Sequence, residues 1–190
     1  MTLRVVPLLW IALVSGALQG CLPVVAAGVG TGVVMAQDRR TSEAYFDDQK
    51  IEARAAGLID KQIDSVRHVN VTSFNYHVLI SGEVLDESTK AEVEKIVSGI
   101  EKVRSVNNEL VVSPASSLAS RSNDGLITSN VKLRFMNNKN FNSDHIKVVT
   151  ENGTVYLLGL VNHAEADAAA EIASTTRGVR SVVKMFEYTD

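Results

Sequence analysis

Val148–Val161, VVTENGTVYLLGLV, decides the fold because it is a second copy of an earlier stretch. Val71–Val84, VTSFNYHVLISGEV, lies 77 residues upstream. It superposes Val71 on Val148, Val78 on Val155, Gly82 on Gly159 and Val84 on Val161. In the later copy, two β-branched runs meet at Glu151-Asn152-Gly153-Thr154. Asn-Gly at the centre of a short turn signals a hairpin, because both residues tolerate positive φ. Gly82 and Gly159 fall inside strands, where glycine marks a close approach of another backbone.

The repeat extends outward on both sides. Val103-Arg104-Ser105-Val106 matches Val179-Arg180-Ser181-Val182 at offset 76, which reads as one residue lost in the intervening helix. Upstream, also at offset 76, Asp48 falls on Asp124, Ile51 on Ile127 and Ala55 on Val131. Ile51, Ala55, Leu58 and Ile59 form an i, i+4, i+7, i+8 stripe, which predicts a helix over Asp48–Gln62 with Asp48 as its N-cap. Ser88–Ile100 predicts another helix. Its counterpart starts after Asn162, with Glu165 three residues on as in a capping box. A last strand follows at Val103–Val112 or Val179–Tyr188.

The predicted class is α+β. Two tandem units, 46–112 and 124–190, each carry helix, strand, strand, helix, strand, with a three-stranded mixed sheet packed against two helices. SPASSLASRSN at 113–123 has the composition of a linker.

The amino terminus follows different rules. Val5–Leu18 is almost wholly apolar after a basic start, and Leu18-Gln19-Gly20-Cys21 ends it. Residues 1–20 read as a secretory signal. Cys21 is the only cysteine, so neither a disulfide framework nor a multi-cysteine zinc site is expected. Leu18, Gly20 and Cys21 resemble a bacterial lipobox. That resemblance implies cleavage before Cys21, a diacylglycerol on its thiol and a third acyl chain, with residues 21–45 as a lipidated tether. Several chains anchor stably where one does not. Leu22 implies the outer membrane, facing the periplasm. The alternative is an uncleaved span, since a bilayer needs ~20 apolar residues. Pro7, Pro23, Gly28, Gly30 and Gly32 interrupt it.

The chain of 190 residues carries a net charge of −3, which gives no sign of nucleic-acid binding. No chemistry-bearing constellation emerges. Gly28–Gly32 lacks the lysine of a phosphate loop. His68, His77, His145 and His163 include no pair at helical metal-binding spacing, and Asp144 and His145 are adjacent in a turn, where side chains point apart. The serines of the linker lack a nucleophile elbow. No enzyme, metal or cofactor is expected.

The helix-strand-strand-helix-strand order, the in-strand Gly82 and Gly159, and Gly178-Val-Arg-Ser-Val182 resemble the BON-domain family. A lipobox followed by two such copies implies an outer-membrane lipoprotein that supports the cell envelope and gathers at the division site. It also implies binding of anionic phospholipid, such as phosphatidylglycerol, through the first helix of the second copy. The positions concerned are Leu126, Ile127, Ser129, Asn130, Lys132, Leu133, Arg134 and Met136.

The residues supply a parallel reading. Ile127, Val131 and Phe135 take the core stripe, which leaves Leu126, Leu133 and Met136 together on the far side, flanked by Lys132 and Arg134. The matching residues of the first copy are Lys50, Gly57 and Asp60. An apolar strip bordered by cations suits a membrane interface. It suits packing against the first unit equally well. The second copy carries 7 Lys+Arg against 8 Asp+Glu, and the first 8 against 12, so the second approaches an anionic bilayer at less electrostatic cost. The alternative function is a scaffold for periplasmic envelope proteins, recruiting through sheet edges or the first helix.

Overall fold

A computed structural model describes residues 38–63 and 68–190. Cys21, the signal segment and most of the tether lie outside these residues.

The first helix, α1 (Ser42–Gln62), starts six residues earlier than its apolar stripe suggests. Thr41, not Asp48, is the N-cap, its hydroxyl accepting from the Ala44 N–H at 3.1 Å. The polar opening turns carry one core contact, Ala44, which periodicity alone does not reveal. Strand β1 (His68–Phe74) runs antiparallel to β2 (His77–Val84), with Val69 opposite Gly82 and Phe74 opposite His77. Helix α2 (Glu87–Ser98) is capped by Asp86. The third strand arrives in two pieces, β3 (Ser105–Asn108) and β4 (Val111–Val112), both parallel to β2. Between them Leu110 turns into the core, 1% exposed, while Asn108 accepts from its N–H.

The second unit repeats this order. Helix α3 (Leu118–Asn137) leads through a 3-10 turn, Ser143–His145, to β5 (Ile146–Glu151) and β6 (Thr154–Val161). Helix α4 (His163–Ser174) and β7 (Ser181–Tyr188) follow, with β7 parallel to the central β6 along its whole length. Asn162 and Glu165 form the expected capping box. Helix α3 begins at Leu118 with Ser117 as cap, so the second half of the serine-rich stretch is helix.

The two copies differ by one residue at a place other than the one expected. Helices α2 and α4 are both 12 residues long. The extra residue is Leu85, in the loop before the Asp86 cap, where Asn162 alone bridges Val161 and α4. Leu85 is 42% exposed, so its absence from the second copy removes no core contact.

Three apolar clusters follow from strand alternation. Val78, Ile80 and Val84 face α1 and α2, while Val155, Leu157 and Val161 face α3 and α4. The opposite faces carry Phe74 and Leu79 from one unit and Tyr156 and Leu158 from the other, gathered in one shared cluster. The two units thus pack sheet against sheet. Strands β2 and β6 are buried on both faces, which is why they read as near-continuous apolar runs. Lys147 with Glu52 at 2.7 Å and Asn75 with Glu187 at 2.8 Å tie the rim of this interface.

Candidate membrane-binding face

Helix α3 spans ~30 Å over its 20 residues. Its inner side carries Asp124, Ile127, Val131 and Phe135, all buried. Phe135 meets Phe141 edge-to-face at 5.1 Å, which pins the carboxyl-terminal end of the helix. With the helix seated this way, the outer side is set.

That outer side is apolar and open. Leu126 is 65% exposed, Leu133 56% and Met136 69%. This strip therefore does not pack against the first unit, which is reached through the β6 sheet instead. Leu118, 76% exposed, joins the strip. It stands eight residues before Leu126, within one quadrant of the helix. Sequence reasoning missed it because serines surround it. Its sequence signal is the spacing Leu118, Leu126, Leu133, which becomes visible once Ser117 is taken as the cap.

The remaining expected positions divide. Lys132, Ser129 and Asn130 are exposed on the same helix, and the Ser129 hydroxyl is turned back on the Gly125 carbonyl at 2.9 Å. Ile127 is core, 2% exposed, and lies against Gly178, so it is not part of the strip. Arg134 is not a free flanking cation. Its guanidinium donates to the Ile172 carbonyl and the Thr176 hydroxyl, both at 2.7 Å, and to the Thr175 hydroxyl at 3.0 Å. A cation on the last carbonyls of α4 opposes that helix's dipole and joins the two helices. Asp124 is the one acid in α3, and it is buried. The exposed surface of the helix thus carries Lys132 and Arg134 without a facing carboxylate of its own, while Arg121 is only half-exposed. Helix α1 presents no such surface: Lys50 pairs with Asp47 at 2.9 Å, and Gly57 faces open space.

The two in-strand glycines sit where another carbonyl approaches. A Cβ on Gly82 would lie 2.0 Å from the His68 oxygen, and φ there is +117°. One on Gly159 would lie 2.6 Å from the His145 oxygen. His77 and His163 open β2 and α4. Among the described residues no helix is long and apolar enough to cross a membrane.

Two helix-strand-strand-helix-strand units packed sheet to sheet, one of them with an apolar helix face, define a tandem-repeat α+β protein. The BON domain model matches residues 47–114 and 123–190, and the chain belongs to the BON-domain family. It is 38% identical over 189 residues to the outer membrane lipoprotein DolP of Haemophilus influenzae, covering 97% of this chain and 98% of that one. It is 33% identical over 153 residues to the 21 kDa hemolysin of Actinobacillus pleuropneumoniae, covering 80% and 79%. Osmotically-inducible protein Y of Escherichia coli is 32% identical over 142 residues, covering 73% and 71%. The protein is accordingly an outer-membrane lipoprotein of a Gram-negative bacterium, lipid-anchored and facing the periplasm.

Proposed function

We propose that the protein, anchored through acyl chains on Cys21, binds anionic phospholipid with the outer face of α3 and so supports envelope integrity, including at the division site. The role is non-enzymatic. The observation that carries the reading is the open strip Leu118, Leu126, Leu133 and Met136 on a helix whose only carboxylate is buried. The 17 residues from Cys21 to Gln37 reach at most ~60 Å, enough for the folded body to turn this face to the leaflet that holds the anchor.

Each large side chain moved from water into the interface contributes ~1.5–3 kcal/mol, and a charge near an anionic surface ~1 kcal/mol. Leu126→Glu removes the first and adds a repulsive form of the second, for a loss of ~2–4 kcal/mol. That is roughly 30- to 1,000-fold in affinity. Residues 37–190 form one compact unit. The test pellets this unit with vesicles with and without phosphatidylglycerol. Leu126→Glu and Leu118→Glu should both weaken binding, and Gly57→Glu, in the matching helix of the first unit, should not. Equal binding by parent and Leu126→Glu, or indifference to anionic lipid, moves the reading to a scaffold for periplasmic envelope proteins.

A further inference from the structure

Where the two sheets meet, one corner of the interface is polar and acidic. His68 opens β1 directly opposite Glu83 in β2, and Glu151 ends β5 in the other unit. A nitrogen of His68 and one carboxylate oxygen from each glutamate all lie within 4.8 Å of one another. His68 Nε2 is 3.8 Å from Glu151 Oε1. Glu83 is 5% exposed and Glu151 8%.

We propose that His68, Glu83 and Glu151 form a zinc-type divalent-cation site that clamps the two BON domains together.

The chemistry of the corner supports this. Two carboxylates are buried beside each other, and the hydrogen bonds they accept come from neutral groups. Asn70 donates to Glu151 at 3.1 Å and the Ser116 hydroxyl to Glu83 at 3.3 Å. Arg121 lines the adjoining cleft but forms no ion pair with either glutamate among the described residues, and its buried Nε has no partner there. Ser81 is an independent sign of a missing polar partner. It follows the same face of β2 as Glu83, opposite Asn70, is 1% exposed, and its Oγ has no partner among the described residues.

One imidazole and two carboxylates match the mixed nitrogen and oxygen ligands of zinc, with the fourth position left for water. Bonds of ~2.0–2.2 Å put tetrahedral ligands ~3.4 Å apart, so side-chain rotations close the site. Calcium, which takes six to eight oxygens, is poorly served by this set. Because the ligands come from both units, the cation would bind only the packed arrangement.

The test uses the full chain in detergent micelles, stripped with EDTA and melted with increasing zinc. Once free zinc exceeds Kd about 100-fold, Tm should rise by about 5–10 °C. Glu83→Gln, Glu151→Gln and His68→Ala should each abolish the shift, and His163→Ala should keep it. In EDTA the two glutamine variants should melt no lower than the parent, since they relieve a like-charge contact while keeping an acceptor for Asn70 or Ser116. Zinc that leaves the parent Tm unchanged overturns the proposal, as does a full shift that survives in both glutamine variants.

Discussion

The carboxylate of Asp124, in the second turn of α3, accepts hydrogen bonds from the backbone N–H of Gly153 at 2.8 Å. The neighbouring Asn152 N–H reaches the same carboxylate at 2.9 Å. Each repeat holds its own hairpin turn in this way. In the first copy Asp48 receives the N–H groups of Asn75 and Tyr76, at 2.7 and 2.8 Å. These turn residues have positive φ, from 46° at Asn152 to 75° at Gly153. The turn therefore supplies the twist of the hairpin, and the helix supplies the acceptors that its inward-facing N–H groups require.

Replacing Asp124 with Ala leaves two backbone donors without their acceptor. The cost of a buried unsatisfied group is ~1–3 kcal/mol, so the variant should lose at least ~2 kcal/mol. Urea unfolding of residues 37–190 measures it. A midpoint equal to the parent's would mean that water replaces the carboxylate and that the turn holds itself.

Gly82→Ala should destabilise more than Gly159→Ala. Both put a Cβ against a carbonyl oxygen, but the Gly82 contact is closer, 2.0 against 2.6 Å, and only Gly82 has a left-handed φ. A loss above ~3 kcal/mol is expected at Gly82. Thermal melts that rank the two variants the other way would contradict the strand packing described above.

Arg39 grips Glu165 with two bonds, at 2.6 and 2.8 Å, and also donates to the Leu160 carbonyl. The Arg39 hydrogen bonds hold the Glu165 carboxyl below the usual range despite the opposing effect of burial. A carboxyl whose folded pKa is depressed stabilises above its unfolded pKa, and the gain is lost as pH falls through the folded value. Arg39 is 32% exposed, so the pair contributes only ~1 kcal/mol. Arg39→Ala should lower Tm by about 2–4 °C at pH 7, and the deficit should shrink to little or nothing in acid once the Glu165 carboxyl is protonated in the folded state. A deficit that is the same at pH 7 and in acid would show that Arg39 acts through packing alone.

Cys21 is the residue on which the anchor is proposed to depend. Cys21→Ala should abolish palmitate labelling and leave the chain out of the outer-membrane fraction. Labelling that persists in the variant would place acylation elsewhere, since the chain has no other cysteine.

The sequence by itself determined what local periodicity encodes: the repeat, the hairpins with their in-strand glycines, the Asn162–Glu165 box and the inner stripe Ile127, Val131, Phe135. Each of these is a statement about one element and the alternation of burial along it, and alternation is set by backbone geometry alone. Only the tertiary structure decided which surfaces meet. It turned Asp48 from a cap into the acceptor for a turn 27 residues away, took Arg134 to the end of α4, and moved the extra residue of the first copy to Leu85. It also left Leu126, Leu133 and Met136 in the open and added Leu118 to them. His68, Glu83 and Glu151 lie on three strands of two domains, so no spacing along the chain foreshadows their meeting. The physical reason is the same throughout: a side chain's partner across a packed interface depends on how two surfaces fit, and that fit is a property of both surfaces at once.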